Sequence, residues 1–294
     1  MTGPARIFDR TLLRARRQAA AARIAGEAGF LHREVAARLL DRLADVARDF
    51  ELAIALGWDA AATPPPARHV IYSDLAPARA AQAPGPALAA DEEALPFRDD
   101  AADLILSNLT LHWVNDLPGA LIQINRALKP DGLFLGAMLG GETLIELRRA
   151  LMQAEEEIAG GAHLRVSPMA GLQDLAGLMQ RAGFAMPVAD SERITVSYAD
   201  PFRMLRELQA MGETNAALER QKSCTRSRVI LRAIELYAHR HADEDRRIPA
   251  TFEVMMLAGW APGPGQPRPK RPGSATARLA DALGAQEVQL PGSR

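Results

Sequence analysis

The sequence predicts an α/β fold: a doubly wound parallel sheet with helices on both faces, followed by a C-terminal helical cap and a flexible tail. Three observations predict it. Short apolar runs recur between turn residues and are nearly continuous rather than alternating, the pattern of strands covered on both faces. Segments of helical periodicity with readable start and stop signals lie between them. Beyond Trp260 the composition shifts to proline and glycine, as in a linker.

Taken in order, residues 1–50 form an N-terminal helical segment, in which His32 to Arg48 places Val35, Leu39, Leu43 and Val46 on one face with Arg33, Asp41, Arg42 and Asp45 between them. This helix is expected on a sheet edge or lid. Residues 51–200 form the sheet domain, with strand candidates Leu52–Leu56, Val70–Asp74, Ala87–Asp91, Leu104–Asn108 and Leu133–Met138. A helix starts after Asn115-Asp116, carries Pro118 in its first turn and Leu121, Ile122, Ile124 and Leu128 inward, and stops at Lys129-Pro130-Asp131-Gly132. Glu142–Ile158 and Leu172–Ala182 read as further helices, the second ended by Gly183, and Ala185–Tyr198 turns strand-like. Residues 201–260 supply a cap and edge strand of the same domain: helices over Pro201–Met211 and Arg226–His239, then a strand over Thr251–Leu257. Residues 261–294 are the tail, and no internal repeat is present.

Composition narrows the function classes. With 35 basic and 36 acidic residues the net charge is -1, so the broad positive field of a nucleic-acid binder is missing. A lone cysteine, Cys224, allows no internal disulfide and no thiolate metal cluster, which points to a reducing compartment and a cytoplasmic home. No apolar run is long enough for a transmembrane segment. The arginine-rich opening, Arg6, Arg10, Arg14, Arg16 and Arg17, has the composition of an organelle transit peptide, yet it is expected to belong to the mature fold.

In doubly wound sheets ligands sit beyond the carboxyl ends of the strands, so residues just after each strand are the site candidates. Asp74 closes the second strand, where a carboxylate can accept hydrogen bonds from both ribose hydroxyls. Asp91-Glu92 closes the third and could meet an adenine amino group, and Asn108 closes the fourth. Each could equally cap a following turn or helix. His112 is the histidine at this edge, either orienting a substrate or acting as general base, or else packing on Trp113. Gly140-Gly141-Glu142-Thr143 is a turn or a substrate-contact loop. The run from His239 to Asp245 carries metal-capable side chains, but it is expected to be a solvated helix end, and no metal site is predicted.

The blocks Asp91 to Phe97, Ala102 to Asn108 and Leu128 to Gly132 resemble the post-strand blocks of class I S-adenosylmethionine (SAM)-dependent methyltransferases, which implies a Rossmann-like sheet and a SAM cofactor. One branch is closer still. Leu111 to Pro118, Gly140 to Leu144, Gly183-Phe184, Ile7 to Arg10, Met211 to Asn215 and Arg271 to Thr276 are similar to the branch that holds a respiratory complex I assembly factor with this fold. That resemblance implies a protein partner, a complex I subunit, and modification of one of its arginines. The carrier-protein methyltransferase branch shares the fold and explains fewer of these blocks.

The sequence departs from the family after the first strand, where relatives carry an acid and a Gly-x-Gly-x-Gly run that lets the cofactor approach the backbone. Here Ala55 replaces the acid, Gly57 alone survives, Asp59 and Ala61 replace two glycines, and Trp58 adds bulk. The crossovers Gly57–His69 and Leu75–Pro86 are short and rich in proline. SAM affinity is therefore expected to be weakened or lost, with a non-catalytic assembly chaperone as the alternative to an enzyme.

Overall fold

The computed structural model describes residues 6–24, 26–264, 266 and 284. The described residues up to Pro264 form one compact unit, in which the N-terminal helices and the cap fold together with the sheet. The tail block Arg271 to Thr276 lies outside the described residues.

The chain opens with α1 (Arg10–Ile24) and α2 (Phe30–Ala44), then β1 (Leu52–Leu56) and β2 (His69–Asp74). A four-residue α3 (Pro77–Ala80), β3 (Ala87–Ala89), β4 (Ala102–Asn108), α4 (Leu117–Ala127) and β5 (Leu128–Leu139) follow. The rest is α5 (Ile145–Ala159), α6 (Leu172–Arg181), β6 (Ala185–Tyr198), α7 (Pro201–Met211), α8 (Ser227–His241) and β7 (Ile248–Trp260). The seven strands run in the order β3-β2-β1-β4-β5-β7-β6; β1 to β5 are parallel, and β7 pairs antiparallel with both β5 and β6. The sheet is thus doubly wound, with the reversal of strand order between β1 and β4.

Side chains of one strand alternate between two cores. Ala53 and Ala55 of β1 face the core built with α2, α5, α7 and α8, whereas Ile54 and Leu56 face α4 and α6. α2 packs on the sheet face, against β4 and β5, and not on an edge: Val35 and Leu39 are fully buried there. Each such side chain contributes about 2 kcal/mol of apolar burial.

Differences from the expected elements have local causes. α2 starts at Phe30 and ends at Ala44, two residues before Val46. β3 stops at Ala89, because Asp91 turns back to bridge Ala94. α4 ends at Ala127, and Leu128 is already extended, pairing with Ala102 before a bulge that absorbs Lys129 to Gly132. The bulge tolerates Pro130, which has no N–H to give. β7 extends to Ile248 and Trp260, since β6 offers fourteen residues to pair with. The loop 57–68 contains no helix, and α3 is one turn long, so both parallel crossovers on this side of the sheet are stunted as the prolines imply.

Candidate functional site at the carboxyl edge of the sheet

Gly57 ends β1 with a φ of +65°, and a Cβ there would clash with Thr110 Cγ2 and lie 2.7 Å from the Asn108 carbonyl oxygen. The close approach that this glycine permits is taken by the chain's own β4 turn. Beside it, Trp58 is buried and its Nε1 donates to the Thr63 carbonyl at 3.1 Å. Asp59 is buried too, accepting the Ala61 N–H at 2.9 Å and facing Arg33 at 3.5 Å.

The other strand-end residues are engaged from within. Asp74 Oδ1 accepts the Ala76 N–H at 2.8 Å and Oδ2 lies 3.3 Å from Arg79. Asp91 and Glu92 both receive Arg10 of α1, which also donates to the Trp113 carbonyl at 3.2 Å. The charge of Arg10 is stabilised by these acids against its burial, which raises its pKa. Asn108 Nδ2 donates to the His32 carbonyl at 2.9 Å. The opening segment is therefore part of the site wall: Phe8 stands edge-on to Trp113 with centroids 5.4 Å apart, and Asn115 Oδ1 accepts the N–H groups of Ile7 and Phe8 at 2.7 Å.

His112 lies beside Glu213, a pairing that spans the sheet edge and the segment after α7. His112 Nδ1 accepts the Leu139 N–H at 3.4 Å, which leaves Nε2 to donate to Glu213 Oε2 at 3.0 Å. Trp113 Nε1 donates to the same oxygen at 2.9 Å. Arg17 and His32 approach Oε1 at 3.7 and 3.8 Å, outside hydrogen-bond distance. Burial opposes the Glu213 charge, but His112, Arg17 and the remaining neighbours outweigh it and hold the carboxyl at about 2. His32 goes the other way: burial, then Arg79, keeps its pKa well below 6.5, so it adds little charge to this group.

Polar atoms without a hydrogen-bond partner concentrate here. Of the twelve such buried side-chain atoms among the described residues, nine belong to this group: Arg17 Nε and Nη1, both ring nitrogens of His32, Arg79 Nη1, Asp59 Oδ2, Asp74 Oδ2, Asn108 Oδ1 and Glu213 Oε1. Sequence reasoning missed Arg17, His32 and Glu213 as site residues. A signal existed for Arg17, which shares the buried face of α1 with Leu13, Ala20 and Ile24. Glu213 had none beyond its place in a resembling block, because only the return of the chain after α7 brings it to His112.

A cavity of about 830 Å³ opens against Glu213 and Trp113. Leu139, Leu144, Leu147, Leu151, Leu208 and Phe252 give it apolar walls, and Thr143 of the Gly140–Thr143 turn lines it as well. The His239–Asp245 run is the last turn of α8 and the exposed residues after it, and no group of three metal-capable side chains occurs among the described residues.

A methyltransferase-domain family profile matches residues 52–136. The arginine-hydroxylase NDUFAF5 of Danio rerio is 38% identical over 94% of this chain and 89% of its own length. The Homo sapiens protein of that name is 37% identical over 98% and 86%. A malonyl-[acyl-carrier protein] O-methyltransferase of Halorhodospira halophila is 36% identical over 89% and 91%. Among solved structures, the YcgJ protein of a Bacillus species superposes with a TM-score of 0.53, 17% identity and coverage of 77% of this chain and 99% of that one. The methyltransferase BH2331 of Bacillus halodurans gives 0.52, 14%, 78% and 99%, and these two likenesses speak to the fold. Architecture and relatedness agree: the chain belongs to the class I methyltransferase superfamily, whose fold binds SAM, in the branch of the arginine-hydroxylase NDUFAF5.

Proposed function

We propose that this chain recognises an arginine of a protein partner, a respiratory complex I subunit as the family resemblance implies, and acts as an assembly factor that has lost SAM. The observation that carries the arginine reading is Glu213: a buried, ionised carboxylate on the wall of an apolar cavity, with Oε1 accepting no hydrogen bond. That oxygen faces Arg17 at 3.7 Å without a hydrogen bond, so it keeps acceptor capacity for a further donor. A guanidinium is a planar donor matched to a carboxylate, and its methylene stem suits the leucine walls.

Loss of SAM is supported by the first-strand turn, where Thr110, Trp58 and Asp59 occupy the approach that a glycine run would leave to a cofactor. The residues present do not fit the cofactor there, and Arg10 and Arg79 already neutralise the carboxylates of the nucleoside side. The methyltransferase reading keeps one observation in its favour: Asp74 Oδ2 and Asn108 Oδ1 have no hydrogen-bond partner, as acceptors for a nucleoside would. No helix among the described residues is long and apolar enough to cross a membrane. The lone Cys224 supports a reducing compartment, which we propose is the cytosol, whereas the NDUFAF5 relatives are mitochondrial.

The test is calorimetric binding of short serine-flanked peptides carrying arginine or citrulline, with Leu147→Trp as the cavity-filling variant. Binding of the arginine peptide alone, lost in Leu147→Trp, is the expected result. Equal binding of citrulline, or full binding by a folded Leu147→Trp protein, refutes the arginine site.

A further inference from the structure

The mouth of the cavity is strongly basic. Arg16, Arg165, Arg220 and Lys222 line it, and the connection from α7 to α8 runs on through Arg226 and Arg228. Arg16 spends its guanidinium on the Thr214 and Asn215 carbonyls, and Arg165 is held by Glu155, Gln221 and Thr225. Lys222, Arg226 and Arg228 are exposed and have no ion pair among the described residues.

Their placement is unfavourable for the fold. Arg226 is the N-cap residue of the fifteen-residue α8 and Arg228 stands in its first turn, which contains no acid. Cations at that end oppose the helix dipole, where an aspartate or serine would stabilise it. Of these uncompensated cations Lys222 lines the cavity itself, and Arg226 and Arg228 follow it along the same connection, while the cavity wall also carries the buried, partly unpartnered Glu213. An arginine entering alone would be repelled by this mouth before reaching its carboxylate.

We infer that the α7–α8 connection is a docking surface for an acidic peptide segment, and that the arginine taken by the cavity is flanked by aspartate or glutamate. The inference rests on the arginine reading. It gives the two charges of the cavity separate tasks: the cationic mouth holds the flanks, and Glu213 holds the guanidinium. Unlike charges across the mouth would also steer the encounter, and this contribution would be screened by salt.

The experiment compares the affinities of arginine peptides with glutamate, serine or lysine flanks, for the natural protein and for Lys222→Glu/Arg226→Glu/Arg228→Glu. The variant removes cations from a helix N-terminus, so its fold is expected to hold, as a thermal melt would show. Glutamate flanks should bind at least about tenfold tighter than serine flanks near 0.05 M salt, with the advantage lost near 0.5 M. The variant should lose that advantage, while its serine-flanked affinity should not fall, because the repulsion of a lone arginine is relieved. Equal binding of all three flanks, or an unaltered preference in the variant, overturns the inference and leaves the arginine reading standing. Failure of every arginine peptide overturns both. A short polyuridine that displaces the glutamate peptide through these same cations assigns the surface to nucleic acid and overturns the inference.

Discussion

Glu213→Gln is the perturbation that most directly tests the charge arrangement at the sheet edge. The glutamine keeps the shape and one oxygen for Trp113 and His112, and removes the negative charge beside Arg17. In the folded chain the carboxyl is held at about 2, below its ordinary value of 4.5. A depressed carboxylate stabilises the fold above the unfolded pKa and loses that contribution as pH falls toward the folded one. At about 1.4 kcal/mol per pKa unit, the contribution is about 3 kcal/mol at pH 7 and about half of that near pH 3. Urea denaturation of both proteins at the two pH values measures it. The natural chain should be more stable by about that amount at pH 7, and the gap should narrow at pH 3. Equal midpoints at pH 7, or a gap that ignores pH, would refute the claim that an ionised Glu213 organises this edge.

Other outcomes follow from the same structure. Calorimetry with SAM and S-adenosylhomocysteine should show no binding by the natural protein and a gain in Trp58→Cys/Asp59→Gly/Ala61→Gly; micromolar affinity of the natural chain would reject the loss of the cofactor. Gly57→Ala combines a positive φ with a clash on Thr110 and should cost more than about 2 kcal/mol, read as a fall in Tm. Asn115→Ala removes the acceptor of the Ile7 and Phe8 amides and the donor to Glu93. It should lower stability by about 1–2 kcal/mol and speed tryptic cleavage within α1, and unchanged cleavage would mean that the opening segment is held elsewhere.

The sheet was legible because burial on both faces writes itself into a strand as an unbroken apolar run, which Leu104 to Leu106 and Leu133 to Leu135 display without any knowledge of their neighbours. The stunted crossovers were legible for the same local reason: prolines in 57–68 and 75–86 forbid a long helix wherever those segments lie. Bulges were not, since whether Lys129 to Gly132 ends a helix or begins a strand depends on Ala102 across the sheet.

The sequence by itself determined the layers, the order of most elements, and the presence of Trp58, Asp59 and Ala61 after Gly57, because each is a property of a short segment. Only the tertiary structure decided what the strand-end carboxylates do. Asp91 and Glu92 meet Arg10, and His112 meets Glu213 across a separation of 101 residues. Charge is long-ranged and indifferent to chain order, so which cation neutralises which acid, and which oxygen is left over, is settled only when α1 and the segment after α7 fold back onto the edge of the sheet.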